Sequence, residues 1–235
     1  MKISEYLIKS KRKSKYLLLK IFIPITFIAI IISFITFYGL STGNLYIGID
    51  DNKESKNISI STKELSTDNK KELTLYDNSP SSPGHFDLIR SNMNEIIGKD
   101  GQYDGELKDN IIAASFYIQN LNNNLDVDLV YNTVISDIDN EDSKIKTWNM
   151  MFIFDNEYHI YRNSDFDKRR YPSEYQVHDY DDGLNIVEGR IKDLNAGTEK
   201  RISIIIWNIG YEDLKPEKFK LKIYFRATEK EVSSI

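Results

Sequence analysis

Twenty consecutive positions, Ile21 to Leu40 (IFIPITFIAIIISFITFYGL), carry no charge, and after them the pattern changes to short alternations of apolar and polar residues. An α-helix rises about 1.5 Å per residue, so this run reaches roughly 30 Å, the thickness of a bilayer's hydrocarbon core. Its Ile and Phe residues each favour mid-bilayer placement by about 0.3–0.6 kcal/mol. Thr26, Ser33 and Thr36 can return their hydroxyl bonds to the helix backbone. Pro24 falls in the first turn or two, where a missing N–H costs least. The pattern predicts one membrane-spanning helix over 21–40, with Tyr16 and Tyr38 near its ends as interfacial aromatics.

From Leu45 onward a period of two dominates. Leu45, Ile47 and Ile49 alternate with Tyr46, Gly48 and Asp50, which predicts a strand. Ile58 and Ile60, then Leu73 and Leu75, repeat the alternation between polar turns. The Pro/Gly/Ser cluster Asp77 to Gly84 predicts a loop. Asp87 to Ile97 predicts a short helix with Leu88, Met93, Ile96 and Ile97 on one side, ended by Gly98. Asn110 to Asn120 and Leu125 to Asp137 read as two long strands joined by the Asn-rich turn Leu121 to Asn124. Met150 to Asp155 and Tyr158 to Arg162 read as a hairpin around Asp155-Asn156-Glu157. Ser164 to Tyr180 is polar and aromatic and reads as an extended loop. Leu184 to Ile191, Arg201 to Trp207 and Phe219 to Phe225 complete the set of strands.

About ten strands at short spacing with almost no helix predict an all-β fold, an antiparallel β-sandwich of immunoglobulin-like type, preceded by a single N-terminal transmembrane helix. The expected organisation is a basic cytoplasmic tail over 1–20, the span over 21–40 and an extracellular β-sandwich domain over 41–230. Trp148, Trp207, Phe116, Tyr131, Phe152 and Tyr224 are its expected large core residues.

Charge sets the orientation. Residues 1–20 hold seven Lys or Arg and one Glu, whereas the first basic residue after the span is Lys53. The positive-inside rule then places the N-terminus in the cytoplasm and the remainder outside. With a net charge of −5 for the chain, +6 in the tail leaves −11 beyond the span. Such a domain lacks the basic footprint of a nucleic-acid binder. The chain has no cysteine, which excludes a disulfide framework, thiol catalysis and a lipidated cysteine anchor. Cleavage by a signal peptidase stays open, with Gly39-Leu40-Ser41 the best site available.

Candidate chemistry is sparse. The acidic run Asp137 to Asp142 offers Asp137, Asp139 and Asp142 as calcium ligands, since hard cations take several oxygens, but it lacks the Gly and distal Glu of an EF-hand. Asp179, Asp181 and Asp182 before Gly183 are explained by turn chemistry. His85, His159 and His178 have no metal-ligand spacing in sequence. Ser91 and Ser203 lie in no nucleophile-elbow motif, and there is no phosphate-binding glycine loop. No cofactor is expected. Tyr171, Tyr175 and Tyr180, beside Arg169 and Arg170, combine the two residue types that favour interfaces and form the candidate interaction surface.

Three stretches carry a resemblance: Thr42-Gly43-Asn44-Leu45, Ala113 to Asn120 (AASFYIQN), and Asp193-Leu194-Asn195-Ala196-Gly197 leading into Ile204 to Gly210 (IIIWNIG). Together they resemble a group of uncharacterised membrane-anchored surface proteins of low-GC Gram-positive bacteria and their wall-less relatives. Their order is more distantly similar to the TasA/camelysin class of biofilm and surface proteins. The group often has Pro-Gly where this chain has Ala196-Gly197, and an acidic residue and then a Cys where it has Asn208-Ile209-Gly210. The resemblance implies a fold and a location, not an activity. The expected function is a single-pass bacterial surface protein whose sandwich is an interaction or scaffolding module without catalysis. It would contact membrane lipid through 21–40, a protein partner at the cell surface, and no nucleic acid. The alternative is a secreted TasA-like fibre or matrix subunit. A divergent hydrolase or carbohydrate-binding domain would instead display aromatics and carboxylates on one sheet face.

Overall fold

The computed structural model describes residues 45–75, 82–136, 147–180, 185–210 and 220–230. The predicted tail and span, most of the 77–84 loop, the acidic run with Asp137, Asp139 and Asp142, and Asp181 to Gly183 lie outside the described residues. Among the described residues no helix is long and apolar enough to cross a membrane.

The described chain is nearly all strand. The strands are β1 (Leu45–Ile49), β2 (Ile58–Ser61), β3 (Glu72–Leu75), β4 (Gly101–Gln102), β5 (Ile111–Asn120), β6 (Val127–Ser136), β7 (Trp148–Phe154), β8 (Glu157–Arg162), β9 (Tyr175–Asp179), β10 (Asn185–Leu194), β11 (Glu199–Asn208) and β12 (Lys220–Glu229). They form two sheets. Sheet A has the order β10-β6-β12-β1-β3, and sheet B the order β2-β5-β11-β7-β8-β9, with β4 added to β5. The expected all-β, two-sheet architecture is present. The purely antiparallel expectation is corrected: β1 pairs parallel to β12, and β8 parallel to β9. Alternation along one strand carries no information about which distant strand it meets, so it could not reveal either pairing.

The sheets face each other across a core built from alternate residues of both. Leu45, Ile47, Leu129, Tyr131, Leu221, Ile223 and Phe225 come from sheet A, and Ile112, Phe116, Phe152, Ile202 and Ile204 from sheet B. Tyr131 stands at its centre. Its ring stacks on Phe152 at 4.5 Å, contacts Phe225 at 5.9 Å, and its hydroxyl shares a 2.7 Å hydrogen bond with that of Tyr161. Burial, then the Tyr161 neighbour, pushes the Tyr131 hydroxyl pKa up. Gly189 lies directly opposite on β10, and a Cβ there would collide with the tyrosine ring. The glycine is what lets so large a ring lie across the sheet.

Sheet B is covered on its other face as well. Met151, Ile153, Ile205 and Trp207 point away from sheet A into a second core closed by two short helices, α1 (Phe86–Ser91) and α2 (Met93–Gly98), and by Tyr103, Leu107 and Tyr175. Burial on both faces explains why β7 and most of β5 and β11 are buried at successive positions. The single helix expected over 87–97 is two, meeting at Asn92, whose side chain donates to the Leu88 carbonyl at 2.8 Å. The buried positions are Phe86, Ile89, Met93 and Ile96, whereas Leu88 is 47% exposed, which corrects its place on the inward side.

The Asn-rich turn after β5 also differs from a simple hairpin, because β5 and β6 belong to different sheets. Buried Asn120 organises the crossing. Its amide donates to the carbonyls of Leu125 at 2.7 Å and Leu194 at 3.2 Å, and its oxygen accepts from the Asn122 N–H. At the β7–β8 turn Asp155 and Asn156 both have positive φ, 52° and 63°, as a two-residue hairpin requires.

Gly189→Ala should displace the Tyr131 ring and lower stability by about 1–3 kcal/mol, the usual cost of overpacking. Urea unfolding followed by tryptophan fluorescence measures it, and an unchanged midpoint would contradict the contact.

Candidate functional site

Loop 163–174 crosses sheet B between β8 and β9, and one carboxylate anchors it. Asp167 is buried; it accepts from the Asn149 amide at 2.5 Å, the Tyr171 hydroxyl at 2.5 Å and the Arg169 backbone N–H at 2.9 Å. Burial, then the Asp167 hydrogen bond, pushes the Tyr171 hydroxyl up. Arg162 braces the loop from β8. It pairs with Asp179 at 3.0 Å, donates to the Arg169 carbonyl and lies 5.7 Å from the Tyr171 ring.

The candidate interaction surface is therefore mostly interior. Tyr175 is buried against Phe86, with centroids 5.1 Å apart, and Tyr180 is buried with its hydroxyl donating to the Trp148 carbonyl at 2.6 Å. Tyr171 is half-buried, and only Arg169 and Arg170 are exposed. The reason is that Tyr175 to Asp179 is the strand β9 rather than loop, and its ends dock the tyrosines into the two cores.

Parallel pairing of β8 with β9 sets Tyr161 beside His178 and His159 beside Gln176. This brings together two histidines that sequence spacing keeps apart. His159 Nδ1 lies 3.4 Å from His178 Nε2, and His159 Nε2 lies 3.2 Å from Glu157. Both contacts are satisfied when His159 donates from Nε2 to Glu157 and accepts at Nδ1 from His178. The imidazoles stack between Phe154 and Tyr161. Burial and then His159 hold the His178 pKa below its ordinary value of 6.5. Among the described residues no three His, Asp or Glu side chains are placed to hold a metal ion. Of the two serines, Ser203 is buried in a 2.6 Å bond with Ser115, and Ser91 donates to the Leu88 carbonyl.

The outer face of sheet A is covered by no described element with a core of its own. The strand registers align three rows across it. Val134, Lys222, Tyr46 and Thr74 form the first; Glu188, Asn132, Tyr224, Gly48 and Glu72 the second; Arg190, Val130 and Arg226 the third. Tyr224, expected in the core, stands on this outer face with its ring 5.8 Å from that of Tyr46. The correction follows from parity, since Ile223 and Phe225 take the inward positions. The Tyr46 ring lies over Gly48, where a Cβ would come within 2.8 Å of it, and its hydroxyl donates to Glu72 at 2.9 Å. Burial and then the Glu72 bond push the Tyr46 pKa up to about 12. Lys222 and Arg226 flank Tyr224 on the central strand, with no ion pair to another described residue. Asn132 Oδ1 is shielded from water and has no donor among the described residues. Nothing in the sequence marked this face, because its residues come from five strands.

No family model, curated protein or solved structure matches this chain.

Asp167→Ala should lower stability by about 1–3 kcal/mol, because it strands buried donors. It should also raise amide exchange in 163–174; unchanged exchange would contradict the anchor. Below pH 6.5 the unfolded chain binds more protons at position 178 than the folded one. The contribution of His178 is thus full above pH 6.5 and is lost as pH falls toward its lowered folded value. Urea midpoints between pH 7 and pH 5 should fall less in His178→Gln than in the native chain, and parallel pH profiles would contradict the coupling.

Proposed function

We propose that the chain is a single-pass membrane protein that displays its β-sandwich outside the cell as a non-catalytic binding module. The observation that carries this reading is the uncharged run 21–40 with its one-sided basic flank, followed after only a few residues by β1. Two facing sheets joined by crossings such as 121–126 support the immunoglobulin-like outline. Within this reading the binding surface is the outer face of sheet A. It combines half-buried aromatics with polar groups, whereas loop 163–174 is tied into sheet B.

The fibre reading has one observation in its favour: β9 and β10 each pair on one side only among the described residues, and open edges can accept further strands. Protease added to intact cells, with N-terminal sequencing of the cell-associated protein, separates the two. The anchored module should lose its domain to the protease and begin at Met1. A chain beginning near Ser41 would support release, and a protected domain would overturn the orientation.

A further inference from the structure

We propose that the outer face of sheet A binds a neutral polysaccharide chain. The inference rests on that face being the binding surface and is independent of how the chain is anchored. Three features of the face point to this ligand. The first is the tyrosine pair. Tyr46 and Tyr224 meet at 5.8 Å with their planes tilted by 55°, both half-buried on an otherwise solvated sheet. An aromatic face is electron-rich, so it attracts the weakly positive C–H groups that line one side of a sugar ring. Gly48 makes room for one ring, as Gly189 does for Tyr131 inside the core.

The second feature is the balance of polar groups. Lys222 and Arg226 on the central strand are donors without acceptors among the described residues, and Glu188 on the edge strand β10 is an exposed acceptor. Glu72 on the other edge already accepts from Tyr46 and keeps an oxygen to offer. Lys222, Arg190 and Arg226 are balanced by Glu188, Glu72 and Asp128, the last paired with Arg190 at 3.5 Å beside the third row, so the face carries no net charge. A ligand with many hydroxyl groups, each both donor and acceptor, satisfies such a surface, whereas a polyanion would meet the carboxylates and the acidic domain as a whole. Lys222 and Arg226 are four residues apart on one strand, a span of about 13 Å. That favours a chain over a single sugar.

The third feature is Asn132. It occupies the middle row between Glu188 and Tyr224, and its Oδ1 is shielded without a donor among the described residues. An orphaned acceptor costs stability in the free protein, so a group retained at that cost fits a role in recognition. A sugar hydroxyl that parts the neighbouring side chains would supply the missing donor.

The test is affinity electrophoresis of the full-length protein in mild detergent. The gels contain hydroxyethyl cellulose, a soluble β-1,3-glucan, mannan, glycol chitin or, as the acidic arm, polygalacturonate. The expected result is retardation by at least one neutral polymer that persists in 0.5 M salt. Tyr224→Ala should weaken it at least tenfold, and Arg169→Ala/Arg170→Ala should leave it unchanged. Asn132→Val is the discriminating variant: binding should fall at least tenfold while the Tm stays equal or rises, a combination that a purely structural role would not produce. Retardation by no neutral polymer, by polygalacturonate alone with loss in salt, or with no response to Tyr224→Ala and Asn132→Val would each overturn the proposal.

Discussion

Unequal coverage of the two sheets governs this molecule. The central strands of sheet B are dry on both sides, between the inter-sheet core and the layer of helices and loops that carries Phe86, Met93 and Tyr103. Sheet A is dry on one side only. Burial of apolar area is the main driving force available to a chain without cysteine, and most of it lies around sheet B. The consequences are visible strand by strand. β5, β7 and the second half of β11 are buried at successive positions, while β12 keeps polar or aromatic residues at alternate ones and the outward positions of β6 mix Asn132 with Val130 and Val134. The face free to meet another molecule is the one the core does not need.

Tyrosine over glycine recurs at both levels of this arrangement. Inside, Gly189 accommodates Tyr131, which binds the sheets together through Phe152, Phe225 and the hydroxyl of Tyr161. Outside, Gly48 accommodates Tyr46, whose hydroxyl is held by Glu72. A bare stretch of backbone gives a flat bed for a ring, and the ring in turn covers backbone that a glycine leaves exposed. In the interior that contact is structural. On the outer face it leaves a patterned aromatic surface with no covering layer among the described residues.

Much of the strand content was legible in the sequence, because alternation and turn residues act locally. Leu45, Ile47 and Ile49 marked β1, and Asp155-Asn156 marked the β7–β8 hairpin. What depends on distant pairing was not legible. The His159–His178 contact exists only because β8 and β9 run parallel, and the rows through Tyr224 only because β12 lies between β6 and β1. Tyr175 and Tyr180 looked like loop residues because β9 is short and mostly exposed, so its composition resembles a loop. Leu88 looked inward because the helix was started at Asp87 without Phe86, whereas Phe86, Ile89, Met93 and Ile96 form one helical stripe that leaves Leu88 off it.

The claim that sheet A presents a bare outer face can be measured directly by hydroxyl-radical footprinting of the full-length protein, read residue by residue by mass spectrometry. Tyr46 and Tyr224 should be oxidised readily, while Tyr103, Tyr131 and Trp207, each 1% exposed, should resist. Protection of Tyr46 and Tyr224 to the level of Tyr131 would mean that the face is covered, and would contradict the account.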